Sequence, residues 1–306
     1  MAASSIRRRL VRARRDAPEG AEASYATTIG RDVLAVEAPL EIRLNGEPFT
    51  VTMRTPGDDF DLAAGFLVGE GYVAERSDIA GMRLRTVEDD HGRGAVGGVD
   101  VSLAPHVPPP DTSLARHVYT TSACGVCGTT SMDAVTKAAT CELPAPAPLA
   151  RLSTLLGLPD ALRRAQGLFD ETGGVHAAGL FTASGELLCL REDVGRHNAV
   201  DKVVGWALRE GMLPLAGTIL QVSGRASFEL VQKARLAGVP VLSAVSAPSS
   251  LAVELADREG LTLAGFNRGR SVNIYTHEAR IVTDDDAPAS TARGAQAGPS
   301  AEPGAS

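Results

Sequence analysis

The sequence predicts an α/β protein in two parts: a small β-rich N-terminal lobe and a larger C-terminal lobe whose sheet has a parallel portion. Three observations predict it. Over residues 175–275, short apolar runs alternate with stretches of helical period, the pattern of strands joined by helices. Over residues 40–103, strand signals dominate. The composition, 44% hydrophobic and 22% charged over 306 residues, is that of a globular chain able to build a core, which excludes wholesale disorder.

In the first lobe, Leu40-Glu41-Ile42-Arg43-Leu44 alternates apolar and polar, Asn45-Gly46 is a hairpin turn pair, and Phe49-Thr50-Val51-Thr52-Met53 resumes the alternation. Phe60, Ala63, Ala64 and Leu67 then fall at helical spacing. Strand-like pieces at residues 82–85 and 96–103 complete the lobe. A proline-rich stretch at residues 105–110 reads as a boundary between lobes, and another at residues 144–148 as a break between two helices. In the second lobe, residues 175–181 and 187–190 flank Ser184-Gly185 as a hairpin. Ala199, Val203, Ala207 and Leu208 form a helical stripe. Residues 218–222 read as a strand and residues 228–236 as a helix ended by Gly238. Residues 239–245 read as a strand, residues 251–255 as a helix ending near Gly260, and residues 261–264 and 272–275 as closing strands. The domain expectation is a flexible basic arm at residues 1–30, the β-rich lobe at 31–115, the α/β lobe at 116–283 and a disordered Ala/Pro/Ser/Gly tail at 284–306.

Charge and composition exclude some partners. The net charge is −7, which argues against bulk nucleic acid or an anionic membrane surface as the main partner but allows a local basic pocket. Aromatics at 4% leave few stacking platforms for single strands. No apolar run is long enough to predict a transmembrane helix, and the Arg-rich start lacks the apolar region of a secretory signal. Four cysteines are too few for a disulfide scaffold; Cys124 and Cys127 are spaced CxxC, while Cys141 and Cys189 stand alone.

Five features could carry chemistry. The sharpest is Thr120-Thr121-Ser122-Ala123-Cys124-Gly125-Val126-Cys127-Gly128-Thr129-Thr130-Ser131, two thiols among small residues and glycines just ahead of a helix start at Thr130-x-x-Asp133. A helix N-terminus favours a thiolate. Four readings stay open: a persulfide-carrying pair, a thioredoxin-type redox pair, a structural zinc site needing two further ligands, and a buried pair without function. None of His91, His106, His117, His176, His197 or His277 is followed two positions later by Glu, which disfavours a zinc deaminase. The second and third features are Thr172-Gly173-Gly174-Val175-His176 and the polar run Arg191-Glu192-Asp193-Val194-Gly195-Arg196-His197-Asn198-Ala199-Val200-Asp201-Lys202, with more polar groups than helix capping requires. The fourth is a pair of strand-to-helix turns, Ser223-Gly224-Arg225 and Ser246-Ala247-Pro248-Ser249-Ser250. Such turns lie at the carboxyl ends of strands, where open α/β sheets take ligands; serines there either cap the helix or bind phosphate oxygens. The fifth is Phe266-Asn267-Arg268-Gly269-Arg270-Ser271, where arginines around a glycine suit a phosphate and Phe266 suits a base. No P-loop and no GxGxxG fingerprint is present.

Together with Glu41-Ile42-Arg43-Leu44-Asn45-Gly46 and Met53-Arg54-Thr55-Pro56-Gly57-Asp58-Asp59, these segments resemble the FdhD/NarQ family, sulfur-carrier accessory proteins of formate dehydrogenase, over about residues 37–275. The resemblance implies a cytidine-deaminase-like α/β C-terminal lobe without the deaminases' zinc site, and no metal bound directly by the protein. It implies that sulfur is accepted from a cysteine desulfurase as a persulfide and passed to the molybdenum (or tungsten) bis-guanine-dinucleotide cofactor before that cofactor enters formate dehydrogenase. Cys124 matches the persulfide cysteine, with Cys127 as its neighbour. Phe266, Asn267, Arg268, Gly269, Arg270 and Ser271 match the cofactor-binding segment, and Ser223, Gly224 and Arg225 are expected beside it. A cytoplasmic homodimer is expected, with no nucleic-acid or membrane partner.

Overall fold

The computed structural model describes residues 3–15, 25–88, 95–108, 119–120 and 132–283. In chain order the elements are β1 (Ser5–Arg15), β2 (Tyr25–Ala35), β3 (Ala38–Leu44), β4 (Glu47–Arg54), α1 (Asp59–Gly69), β5 (Ile79–Glu88), β6 (Ala95–Leu103), β7 (Tyr119–Thr120), α2 (Met132–Ala138), β8 (Ala150–Arg151), α3 (Leu152–Ala165), α4 (Gly167–Thr172), β9 (His176–Thr182), β10 (Leu187–Asp193), α5 (Arg196–Arg209), β11 (Thr218–Val222), α6 (Phe228–Leu236), β12 (Val241–Ala244), α7 (Ser250–Arg258), β13 (Thr262–Gly265), β14 (Asn273–Ile274) and β15 (Ile281–Val282). The protein is α/β, as expected.

The N-terminal strands form a five-stranded mixed sheet in the order β5-β6-β3-β4-β7. Asn45 and Gly46, at φ 52° and 88°, make the two-residue turn that joins β3 to β4. Both positions need the left-handed region, which Asn and Gly enter most cheaply. The C-terminal strands form a six-stranded sheet in the order β10-β9-β11-β12-β13-β14. Within it β11, β12 and β13 run parallel, and α6 and α7 make the crossovers between them, as parallel neighbours require.

Every residue of β11 is buried because both faces of this sheet are covered. Leu220 and Val222 face a large core shared with α1, α5, α6 and α7. Ile219 faces the other way, into a second core with Leu155, Leu158 and Leu162 of α3.

The large core also contains Leu40 and Ile42 of β3, so it is shared between the two sheets. Their meeting point is the crossing of α1 and α5. A Cβ built on Gly65 would lie 1.8 Å from the carbonyl oxygen of Asp201, and one on Gly205 would lie 1.8 Å from that of Asp61. The two helix backbones are therefore in direct contact, and only glycine fits at either position. Beside the crossing, the buried carboxylate of Asp61 accepts a hydrogen bond from Arg191 Nη2 at 2.8 Å and pairs with Arg209.

One expectation is corrected. Residues 1–30, read as a flexible basic arm, contain β1, which pairs antiparallel with β2 over eleven rungs from Ser5–Ala35 to Arg15–Tyr25. An Arg-rich composition reads as a solvated arm, but backbone pairing with a second strand satisfies the ladder whatever the side chains are. Among the described residues, no helix is long and apolar enough to cross a membrane.

Candidate functional site

The carboxyl ends of the parallel strands carry the turns singled out in the sequence, and the fold joins them directly. Ala226 and Pro248 form a bridge between the turns after β11 and β12. Ser246 N donates to Gly224 O at 3.2 Å, and Ser249 N donates to Ala226 O at 3.0 Å. The segment after β13 joins the same edge, where Phe266 N donates to Ser246 O at 3.1 Å. Three stretches far apart in sequence thus form one rim.

Their side chains divide between structure and exposed chemistry. Ser223 Oγ accepts from Ala177 N at 2.9 Å and fixes the turn to β9. Ser249 Oγ accepts from Ala252 N at 3.3 Å as the N-cap of α7. Asn267, expected to touch cofactor, is fully buried, and its amide donates to Leu155 O at 2.7 Å and Ser243 Oγ at 3.1 Å. It holds the rim onto α3 instead of facing a ligand. Arg225, Arg268, Arg270 and Ser271 are exposed. Phe266 is half-buried, in the left-handed region at φ 50°, with the Arg268 guanidinium 5.6 Å from its ring centroid. Gly269 turns the segment at φ 79°.

The polar run 191–202 splits in the same way. Glu192 accepts from Leu168 N and Phe169 N, both at 2.8 Å, and so caps α4. Asp193, fully buried, accepts from Thr55 N at 3.0 Å, Gly195 N at 2.9 Å and Asn198 Nδ2 at 3.0 Å, and pairs with Lys202 Nζ at 2.8 Å. Lys202 also donates to Thr55 O at 2.9 Å. These groups tie β10 and α5 to the loop that leaves β4.

Arg196 and His197, in the first turn of α5, point elsewhere. A Cβ built on Gly224 would lie 3.5 Å from His176 Nδ1 and 3.8 Å from Arg196 Cδ, so both side chains pack beside this glycine. His197 Nε2 lies 3.2 Å from Ser227 Oγ and 3.8 Å from a Glu229 oxygen. Burial, Lys233 and Arg196 push the His197 imidazole down to about 4. Burial and Arg196 lower that of His176 as well. Burial and the neighbouring Arg225 lower the Arg196 guanidinium, whose Nε is shut off from solvent without an acceptor. The result is a cluster of two guanidiniums and two neutral imidazoles beside the rim. Sequence reading placed Arg225 and the 191–202 run in view. It did not single out Arg196 and His197 from their structural neighbours, or link His176 to Gly224.

Cys124 and Cys127 lie outside the described residues, between β7 and α2. Of the two described cysteines, Cys189 is buried, and burial pushes its thiol up to about 12, so it stays protonated and inert. Cys141 is half-buried. Glu75, Asp78 and His106 bring three metal-type ligand atoms together, but Asp78 is occupied in accepting from Ala74 N at 2.7 Å and Glu75 N at 3.0 Å.

The FdhD/NarQ family model matches residues 35–282, from the end of β2 to β15. The chain belongs to the FdhD/NarQ family. Curated relatives in this family include the sulfur carrier protein FdhD of Streptomyces avermitilis, 58% identical over 251 residues, or 82% of this chain and 89% of that protein. The sulfur carrier protein FdhD of Mycobacterium tuberculosis is 54% identical over 253 residues, covering 82% of this chain and 92% of the other. The archaeal sulfur carrier protein FdhD of Sulfolobus acidocaldarius is 42% identical over 250 residues, 82% of this chain and 91% of that one. The crystal structure of a protein assigned as a formate dehydrogenase accessory protein from Desulfotalea psychrophila has the same fold, with a TM-score of 0.69 at 24% identity over 92% of this chain and all of the other.

Proposed function

We propose that this chain is a sulfurtransferase that carries sulfur for formate dehydrogenase, in the cytoplasm and as a homodimer. A cysteine desulfurase presents a persulfide. The Cys124 thiolate attacks its outer sulfur, the desulfurase cysteine leaves as a thiolate, and the sulfur is held as a persulfide on Cys124. The sulfur then passes to the molybdenum bis-guanine-dinucleotide cofactor, the cargo of the reaction, before that cofactor enters formate dehydrogenase. Cys127, the second thiol of the pair, relays or protects the first.

The observation that supports this reading most is the assembled rim. Turns after three successive parallel strands, carrying Arg225, Arg268 and Arg270, meet on one edge of the sheet beside the half-buried Arg196. A guanine dinucleotide offers what such an edge can hold: pyrophosphate oxygens for backbone N–H groups and guanidiniums, and a flat base for Phe266. The family match over residues 35–282 and the names of its relatives support the sulfur-carrying part.

Mass spectrometry after incubation with a desulfurase and cysteine tests the reading. The expected result is an adduct of one sulfur atom, about 32 Da, on Cys124. Cys124→Ala should fold normally, carry no adduct and fail to activate formate dehydrogenase. Full activation by that variant would instead favour a cofactor-delivery chaperone that uses the rim and not the thiols.

A further inference from the structure

The β1–β2 ribbon has no part in the chemistry proposed above, and it has no core. Among the described residues its strands pair only with each other, and none of its described side chains is buried. It meets the body at its base, where Ser5 Oγ donates to Glu171 of α4 at 3.4 Å and a Cβ built on Gly174 would lie 3.8 Å from that of Ala35. Its eleven rungs extend for about 36 Å. A two-stranded ribbon alone is marginal in water, so one of this length gains from a surface to lie on. The family match starts at residue 35, so the ribbon is an addition to the matched body. Its charge is segregated from the rest. The two strands carry seven arginines and one aspartate, a net of +6 in a chain of net −7, which leaves −13 for the remainder. Arg7, Arg8, Arg9, Arg12 and Arg31 are exposed, and among the described residues none of them forms an ion pair. On one face Arg7, Arg9 and Arg31 flank the cross-strand pair Val11–Ile29, whose members are 60% and 69% exposed. Ile6 and Leu34 are a second exposed pair, on the opposite face. Aliphatic pairs beside unmatched guanidiniums suit a protein surface. Nucleic-acid phosphates would use the arginines and leave the aliphatic pairs in water, and a flat lipid surface covers only one of the two faces.

We infer that the ribbon of one copy docks against the exposed side of α7 on a second copy, and that the contact is repeated about a two-fold axis. Leu251, Glu254 and Asp257 are exposed and follow at three-residue spacing along α7. Exposed Glu278 lies beside them, next to His277, whose Nε2 is 2.8 Å from the Asp257 carbonyl oxygen. Arg258, the cation on that side, is taken by Asp133 at 2.5 Å. The surface thus sets a leucine 41% exposed beside three carboxylates, the counterpart of an exposed Val–Ile pair beside three guanidiniums. The ribbon is poorly placed for the α7 of its own chain. Helix α7 packs on the large core, whereas the ribbon rests on α4, which the Arg163–Asp170 pair ties to α3 on the other side of the sheet. A two-fold axis brings ribbon to α7 and α7 to ribbon, two contacts for one association. The inference rests on the homodimer proposed above and names what holds it; it does not depend on sulfur transfer.

Sedimentation velocity on the full chain tests it. The wild-type dimer should weaken by about tenfold or more between about 50 mM and about 500 mM salt, because exposed opposite charges are screened over that range. Arg9→Glu with Arg31→Glu should weaken association by about a hundredfold, and Glu254→Arg with Asp257→Arg by a similar factor, since each sets like charges face to face. An equimolar mixture of the two variants should restore the dimer: each acidic ribbon then meets a basic α7, and each basic ribbon an acidic one. A wild-type dimer indifferent to salt overturns the inference without recourse to any variant, and so does a dimer that survives either pair of substitutions; in both cases the homodimer itself stands. Two variants with wild-type circular dichroism whose mixture stays as weak as its parts overturn the pairing of ribbon with α7. Binding of a single-stranded oligonucleotide or of phosphatidylserine vesicles that Arg9→Glu with Arg31→Glu abolishes, with the dimer unchanged, assigns the ribbon to a polyanion and overturns it too. A wild-type chain that stays monomeric at every concentration removes the homodimer along with this inference and leaves the sulfur-carrier reading in place.

Discussion

Two polar clusters sit within a few residues of each other on α5, and they are built on opposite principles. The Asp193–Lys202 cluster is fully buried, and its charges are matched by each other, by Asn198 and by the backbone of Thr55. The Arg196–Arg225 cluster is half-open, its guanidiniums oppose each other, and its imidazoles are neutral. A closed network has spent its hydrogen-bonding capacity on holding the fold. An open one of like charges has kept that capacity for something else. Polar density in a sequence therefore does not mark a site; polar density left unmatched in the fold does.

The contrast is sharpened by changing one group at a time. The largest effect is expected from Lys202→Met, which strands the Asp193 carboxylate in the core. Urea unfolding should show a loss of about 3–5 kcal/mol, the scale of a broken buried pair. A loss below about 1 kcal/mol would mean that the network is not closed.

The next effect is on pH. The His197 imidazole is neutral down to about 4 when folded, while an unfolded histidine takes a proton near 6.5. Below that value the unfolded chain binds more protons than the folded one. Stability contributed by neutral His197 is thus intact above about pH 6.5 and is lost as pH falls toward 4, by an amount on the order of 2–3 kcal/mol. Unfolding free energies measured across this range should show the slope, and His197→Gln should flatten it.

The smallest effect on the fold belongs to Arg225→Ala. Unfolding should change by less than about 0.5 kcal/mol, because the side chain is exposed. GDP binding, measured by calorimetry with ADP as the comparison, should weaken by about 1.5–3 kcal/mol, or one to two decades. Guanine should be preferred over adenine. Wild-type GDP affinity in this variant, or equal binding of both nucleotides, would place the nucleotide elsewhere.

Much of the C-terminal body is legible from local pattern. The strand at 218–222 and the helix at 228–236 appear with the expected bounds, because a fully buried strand and a Gly-ended amphipathic helix advertise themselves. Helix α3 is expected only as the helix beyond the prolines at 144–148, without bounds, since Gly157 and Pro159 inside it weaken the helical signal; burial of Leu155, Leu158 and Leu162 overrides that propensity. The β1–β2 ribbon is hidden for a related reason: its partner strand begins beyond a nine-residue gap, and pairing at that distance leaves little local trace. At the site, the serine and arginine turns were visible as strand-to-helix junctions. The burial of Asn267 was not, because nothing in Phe266-Asn267-Arg268 says which of three neighbours faces inward. The separate fates of Asp193 and Arg196, three positions apart, are likewise set by the body of the protein and not by their order in the chain.

The glycine crossing of α1 and α5 has a mechanical consequence. Most helix pairs meet through side chains that can change rotamer, and this gives them some slack to slide. At Gly65 and Gly205 the contact is backbone on backbone, and no rotamer there can relax. The joint works as a rivet: a shift of one helix over the other would drive carbonyl oxygens into main-chain atoms. Asp61, clamped by Arg191 and Arg209 next to it, locks the same joint against rotation. The sheet on each side is thereby held in fixed register with the other. The polar cluster at the start of α5 inherits that stiffness.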